Sequence, residues 1–214
     1  MKIKEQIGVV FDSNYFVDEW SMADVEKSIG QFYRLWDTKL FYSYLERFKI
    51  SPKKKVKELS KGMQMKLMLA CVFSYDAKLL ILDEPTSGLD PVSRDELMDI
   101  LKEYIDDGEH SVLFSTHITS DLDKVADYIT YISMGELFYT GSKDDLMDSY
   151  RVIRGGLGEL SSELESKLIG MRKFSTGFEA LIKTKDALKF GNLSYDVATI
   201  DDIIVYTSKR EGES

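Results

Sequence analysis

The run Leu79-Leu80-Ile81-Leu82-Asp83-Glu84-Pro85-Thr86-Ser87-Gly88-Leu89-Asp90 decides the reading of this 214-residue chain. Its aliphatic residues read as a short buried strand; two adjacent carboxylates follow at the strand's end, and Pro85 and Gly88 then turn the chain. Hard oxygen donors at such a place suit a divalent cation and a water beside a phosphate. The usual companion of that arrangement, a glycine-rich phosphate cradle of the form GxxxxGK[ST], does not occur in residues 1–214: of the 14 glycines, none precedes Lys-Ser or Lys-Thr in the required register.

Downstream, the pattern predicts a helix near Ser93 to Ile105 with Met98 and Leu101 on its apolar side, then a strand Ser111 to Ser115 ending at Thr116-His117. Strand, helix, strand at this spacing is a βαβ unit, which makes the sheet largely parallel. Parallel sheets gather their chemistry at the carboxyl ends of their strands, where Asp83, Glu84 and His117 all fall. Upstream, Ser60 opens a helix through Met63, Leu67, Ala70 and Cys71, and Ile3 to Phe11 reads as a strand stopping at Asp12-Ser13-Asn14. Between them, Ser21 to Phe48 has helical texture crowded with Phe32, Tyr33, Trp36, Phe41, Tyr42 and Tyr44, read as core aromatics. Lys53, Lys54, Lys55 and Lys57 form a basic knot after Pro52, read as a solvated linker.

Farther on, Tyr128 to Tyr139 alternates around Met134-Gly135 as a hairpin would, and Ser142 with Asp145 caps a helix. The texture changes after Tyr150. Gly155-Gly156-Leu157-Gly158 marks an expected boundary between a body, residues 1–150, and a small α/β appendage, residues 151–214, whose last helix starts at Thr199 with Asp202 in the capping-box position.

Bulk properties narrow the function classes. With 43% hydrophobic residues the chain has enough apolar material for a real core. The single cysteine, Cys71, rules out an intramolecular disulfide framework and favours a reducing, cytosolic setting. No apolar run approaches membrane-spanning length, so membrane contact is expected only through a partner. The net charge of -9 is uneven: residues 1–150 hold 18 Lys+Arg against 27 Asp+Glu, and residues 151–214 hold 10 of each. An acidic body argues against nucleic acid as a partner.

Taken in order, the motifs resemble the ATP-binding subunit of an ATP-binding cassette (ABC) transporter over about the first 150 residues. Leu59-Ser60-Lys61-Gly62-Met63-Gln64 is similar to the signature loop, Leu79 to Glu84 to the Walker B strand, Ser87-Gly88-Leu89-Asp90 to the D-loop, and His117 to the switch histidine. The resemblance implies a P-loop-NTPase-like, mostly parallel α/β sheet with an inserted helical subdomain at residues 14–58, here without the N-terminal strands and Walker A loop. It implies ATP and Mg²⁺ as cofactors: Asp83 holding the metal through water, Glu84 polarising the attacking water, and His117 sensing the γ-phosphate. Ser60, Lys61, Gly62 and Met63 would meet the nucleotide of a facing subunit, and Asp90 would set the contact between the two sites. Read without the family, Ser60-x-Gly62 is equally a helix cap and Asp90 a turn aspartate.

Several positions depart from the family pattern. Lys61 and Met63 stand where the signature usually has glycine and glutamine. Asp12 stands where the Q-loop glutamine is expected; a carboxylate can still reach Mg²⁺, but its charge and shorter reach bring the usual coupling role into question. Because the chain starts almost at the Q-loop strand, it reads as an N-terminally truncated copy, expected to be inactive alone and to fold poorly in isolation. The implied partners are transmembrane permease subunits and a second cassette facing head to tail, placing the chain in the cytoplasm on the inner face of the membrane. Its tail, Ala198 to Ile204, is similar to that of drug- and peptide-exporter cassettes, including the group that exports phenol-soluble modulins. The alternative role is a non-catalytic partner that contributes only the signature half of a composite site.

Overall fold

A computed structural model describes residues 3–210, which divide into two compact units between Ile118 and Thr119. The first unit holds β1 (Ile7–Val10), α1 (Met22–Gly30), α2 (Thr38–Arg47), α3 (Lys61–Phe73), β2 (Leu79–Leu82), α4 (Pro91–Ile105) and β3 (Ser111–Phe114). The strands form a parallel sheet in the order β1-β2-β3, with Val10 opposite Leu82 and Leu82 opposite Phe114. This is the α/β parallel architecture expected from the βαβ spacing. The ladder runs one step past the strands, since Asp83 N–H donates to Val10 O at 2.9 Å and Ser115 N–H to Leu82 O at 3.0 Å.

Alternation along the strands separates the sheet's two faces. Val10, Leu80 and Leu82 are fully buried, whereas Val9 and Leu113 are exposed and Ile81, which lies between them in register, is half-buried. On the covered side α3 comes very close: a Cβ added at Gly8 would lie 2.9 Å from both Leu80 Cδ2 and Val72 Cβ. α3 is buried almost all round, from Leu67 through Phe73, as befits a helix inside the core rather than on its surface. Cys71 lies within that stretch, and burial pushes its thiol far above the ordinary range, so it is a packing residue.

The helical stretch read at Ser21 to Phe48 folds as two helices. Ser21 and Asp24 form a reciprocal capping box at the start of α1, and Asp37 caps α2 by accepting from Lys39 and Leu40 N–H. Between them the Trp36 ring lies against Gly30, where a Cβ would meet it at 2.9 Å. The aromatics also split: Phe41 is fully buried and Tyr33 stacks on Tyr75 at 3.8 Å, but Phe32 is exposed rather than core. At the N-terminal side, the strand expected from Ile3 shortens to Ile7–Val10, with Ile3–Gln6 coiled as a 3₁₀ turn. The basic knot is only partly free: Lys55 and Lys57 pair with Glu19 at 2.8 and 2.5 Å, lowering its carboxyl to about 2.

The second unit holds α5 (Thr119–Val125), β4 (Tyr128–Ser133), β5 (Glu136–Ser142), α6 (Lys143–Ser149), β6 (Tyr150–Gly155), α7 (Ser162–Glu165), β7 (Leu168–Lys173), β8 (Phe178–Lys183), α8 (Thr184–Ala187), β9 (Ser194–Val197) and α9 (Ile200–Arg210). β4 and β5 form the expected hairpin. β6 to β9 form an antiparallel sheet in the order β7-β8-β6-β9, so the small appendage is a β-α-β-β-α-β module. Each face of this sheet has its own core. Ile153, Ala180 and Ile182 pack with Leu164 of α7 and Ala187 of α8, while Val152 and Leu181 pack with Ile200, Ile203 and Tyr206 of α9. The second core also takes in Ala126, Ile129, Leu146 and Tyr150, which explains why the contact boundary falls at residue 118 while the glycine-rich turn marks no division. The expected Thr199/Asp202 capping box is present, with Asp202 Oδ2 accepting from Thr199 N–H at 2.9 Å.

α9 touches β7 through backbone. A Cβ at Gly170 would lie 2.1 Å from the Tyr206 carbonyl oxygen, and no side-chain rotamer relieves a backbone clash. Gly170→Ala should therefore destabilise the second unit by about 2–3 kcal/mol in urea unfolding monitored by tyrosine fluorescence.

Candidate functional site

Asp83 and Glu84 leave the carboxyl end of β2 together and are then separated by the backbone. Glu84 has φ 45°, a left-handed conformation that a glutamate adopts only when its surroundings hold it there. Ser115, one residue past β3, holds the backbone of Glu84 and the side chain of Asp83. Its Oγ accepts the Glu84 N–H at 3.0 Å while its own O–H donates to Asp83 Oδ1 at 2.7 Å. Two residues on, His117 Nδ1 lies 2.8 Å from Glu84 Oε2. The expected trio is thus brought together on one rim, with Ser115 as an added member.

The signature residues and the turn after β2 form a second cluster. Ser60 caps α3, its Oγ accepting from Met63 N–H at 3.3 Å. Gly62 faces Ser93 of α4, where an added Cβ would stand 3.2 Å from Ser93 Oγ, and Lys61 spans Gly88, whose absent Cβ would sit 3.0 Å from Lys61 Nζ. Gly88 has φ 71°, so both geometry and space favour glycine there. Asp90 caps α4, accepting at Oδ1 from Val92 and Ser93 N–H at 3.0 Å each and at Oδ2 from the Ser93 hydroxyl at 2.7 Å. The Ser93 hydroxyl foremost, and then the backbone N–H groups, hold the Asp90 carboxyl below its ordinary value. The ends of α3 and α4 are further tied by a Lys66–Glu96 ion pair.

Asp12 stands elsewhere. It lines a cleft of about 360 Å³ with Ser13, Asn14, Lys61, Gln64, Met65 and Met68, and no hydrogen bond joins it to Asp83. Among the described residues, no group of three or more His, Cys, Asp or Glu side chains is arranged to hold a metal. What the rim offers is the pair of carboxylates, one oxygen of Asp83 being taken by Ser115. That donor set fits Mg²⁺, which is commonly bound by one or two carboxylates with water and phosphate completing its shell, rather than a cation needing a full protein cage.

Ser115 is the member that motif reading passed over. The signal was available: it stands one place beyond Phe114, which pairs with Leu82, so it lies opposite Asp83.

Comparison with known proteins agrees with this geometry. Residues 1–87 match the family model described as ABC transporter. A Mycoplasma pneumoniae protein named as an ABC transporter ATP-binding protein is 31% identical over 178 residues, covering 80% of this chain and 54% of the relative. The Bacillus subtilis ABC transporter ATP-binding protein YtrB is 26% identical over 149 residues, covering 70% of this chain and 51% of its own length. The chain thus spans about half the length of these curated relatives. Among solved structures, one titled as the ATP binding subunit of an ABC transporter superposes with TM-score 0.58 at 23% identity, covering 67% of this chain and 61% of that one, a likeness of fold.

Ser115→Ala removes the acceptor for Glu84 N–H and the donor to Asp83 and should lower stability by about 1–2 kcal/mol in urea unfolding. The cap of α4 carries a pH signature. Because the folded-state Asp90 value is depressed, its stabilisation is present above the ordinary 3.8 and is lost as pH falls through the lower folded value. An NMR titration of the Asp90 carboxyl carbon should therefore show a midpoint below 3.8.

Proposed function

We propose that the protein is an ATP-binding subunit that couples ATP hydrolysis to transport in the export direction, a reading supported by the match of residues 1–87 to the family model described as ABC transporter. The observation that carries this reading is the rim at the carboxyl end of the sheet, where Glu84 Oε2 faces His117 Nδ1 at 2.8 Å and Ser115 fixes the neighbouring Asp83.

The residues divide the work by their chemistry. Glu84 accepts a proton from a water as that water attacks the terminal phosphorus and the bond to the departing nucleoside diphosphate breaks, the role that suits a half-buried carboxylate at a strand end. His117 keeps the Glu84 carboxylate oriented and meets the terminal phosphate with its other ring nitrogen. Asp83 would supply an oxygen to Mg²⁺, which when bound neutralises charge on the phosphates, whereas Asp12 lines a separate cleft and would reach the ion only if that cleft closed toward the rim. Ser60, Lys61, Gly62 and Met63 offer the N-terminus of α3, with the positive end of its dipole and the side chain of exposed Lys61, to the nucleotide of a facing cassette. Asp90 supports the contact between cassettes. No described helix is long and apolar enough to cross a membrane, which supports coupling through separate transmembrane permease subunits at the inner membrane face. The acidic net charge of -9 disfavours nucleic acid as the partner.

A second reading draws on the exposed Ser60 cap of α3 and the exposed Asp90 cap of α4. On that reading this chain lends Ser60 and the turn at Asp90 to a nucleotide held by another cassette. Binding of a fluorescent ATP analogue by this chain alone overturns it.

For the leading reading, Glu84→Gln in the cassette pair should reduce ATP turnover by about a hundredfold or more while nucleotide affinity stays within about twofold. Turnover equal to wild type removes Glu84 from the proposed role.

A further inference from the structure

We infer that an amide bridge between Asn14 and Gln64 positions the signature turn in this chain, mechanically linking the segment after β1 to the N-terminus of α3. Asn14 Nδ2 donates to Gln64 Oε1 at 3.0 Å across 50 residues of sequence. Both side chains line the cleft that also holds Asp12 and Lys61.

Both amides are fixed at their other ends. Asn14 Oδ1 accepts the Phe16 N–H at 2.9 Å, closing a local turn that leaves only the Nδ2 side free to face the cleft. Gln64 turns its Nε2 toward the carbonyls of Leu59 at 3.4 Å and Val56 at 3.5 Å, the two residues whose backbone leads into Ser60. Flipping Gln64 would set donor against donor at 3.0 Å and acceptor against carbonyl, and flipping Asn14 would set two acceptors at 3.0 Å and two donors at 2.9 Å, so the orientation follows from the partners. The result is a continuous chain of hydrogen bonds: the Phe16 turn, Asn14, Gln64, then the backbone entering the signature turn.

Its location gives the bridge a function. Asp12 stands two residues before Asn14, where the family pattern expects a long neutral amide, and the cleft's other wall carries such an amide at Gln64. The glutamine reaches from the signature helix toward the β1 segment, reversing which wall contributes the long side chain. α3 is a continuous helix from Lys61 to Phe73, so displacement of Asn14 is delivered to its first turn through Gln64 rather than lost in a loop. Met65 and Met68 on the cleft floor are pliable enough to let that turn move. Asn14 and Gln64 are positioning residues; neither touches the rim of Asp83, Glu84 and His117.

The significance of the bridge for catalysis rests on the nucleotide-binding reading, but its existence and mechanical effect do not, and the experiment separates the two. Hydrogen exchange of the full-length chain is read at the amides of Leu59, Met63 and Gln64, which are bonded to Val56 O, Ser60 Oγ and Ser60 O, and at Phe16. Asn14→Asp keeps the acceptor for Phe16 but removes the donor and sets a carboxylate against Gln64 Oε1. It should leave Phe16 protection and the urea midpoint unchanged while amides 59, 63 and 64 exchange about five- to tenfold faster. The double change Asn14→Asp with Gln64→Lys replaces the amide bridge by an ion pair and should restore most of that protection. Exchange at 59–64 within about twofold of wild type in Asn14→Asp, or no recovery in the double variant, overturns the inference. Titration with a fluorescent ATP analogue runs in parallel: loss of protection without any nucleotide binding sustains the bridge and rejects the ATPase reading, and binding with unaltered protection does the reverse.

Discussion

The parallel register of β2 between its neighbours is the constraint on which the rest of the first unit depends. With Leu82 paired to Val10 on one side and Phe114 on the other, the ladder hands its last bonds to Asp83 and Ser115. That pairing sets a serine hydroxyl directly beside a carboxylate and within reach of the next backbone N–H. Slipping the register by one residue would move every strand side chain to the opposite face, exposing Leu80 and Leu82 and taking Ser115 away from Asp83. The hydrophobic pattern of the strands forbids that slip, so core packing fixes the chemistry at the rim.

Glu84 shows the same dependence at closer range. Its left-handed backbone is a conformation that costs about 1–3 kcal/mol for a residue of its kind. The hydrogen bond from its N–H to Ser115 and its contact with His117 offset that cost and explain why it persists. The strain turns the Glu84 side chain toward the strand that ends at His117, while Asp83, one residue earlier, is held by the serine. Two carboxylates adjacent in sequence thereby acquire different partners and are suited to different tasks, one to a cation and one to a proton.

The helical part of the first unit and the rim meet through the ends of α3 and α4. Gly62 and Gly88 let those ends approach, and Asp90, Ser93 and the Lys66–Glu96 pair lock them. The close approach puts the signature turn, the turn after β2 and the cleft around Asp12 into one connected network of side chains. The links are of different kinds: van der Waals contact at Gly62 and Gly88, an ion pair between Lys66 and Glu96, and a hydrogen bond between Asn14 and Gln64.

Much of the first unit was legible from local pattern: the short aliphatic strands, the carboxylates at one strand end, the cap at Ser60, and the βαβ spacing that demands a parallel sheet; so was the cap at Ser142 in the second unit. These follow from propensity and periodicity, which act within a few residues. Tertiary structure alone decided what lies opposite what. Ser115 between the two carboxylates, Gln64 reaching Asn14, the break at Gly30 under Trp36, the antiparallel order β7-β8-β6-β9 and the unit boundary at residue 118 all depend on pairings between distant segments. Such pairings are selected by the burial of whole faces and by backbone contacts such as that of Gly170 with Tyr206, quantities that no single stretch of sequence contains.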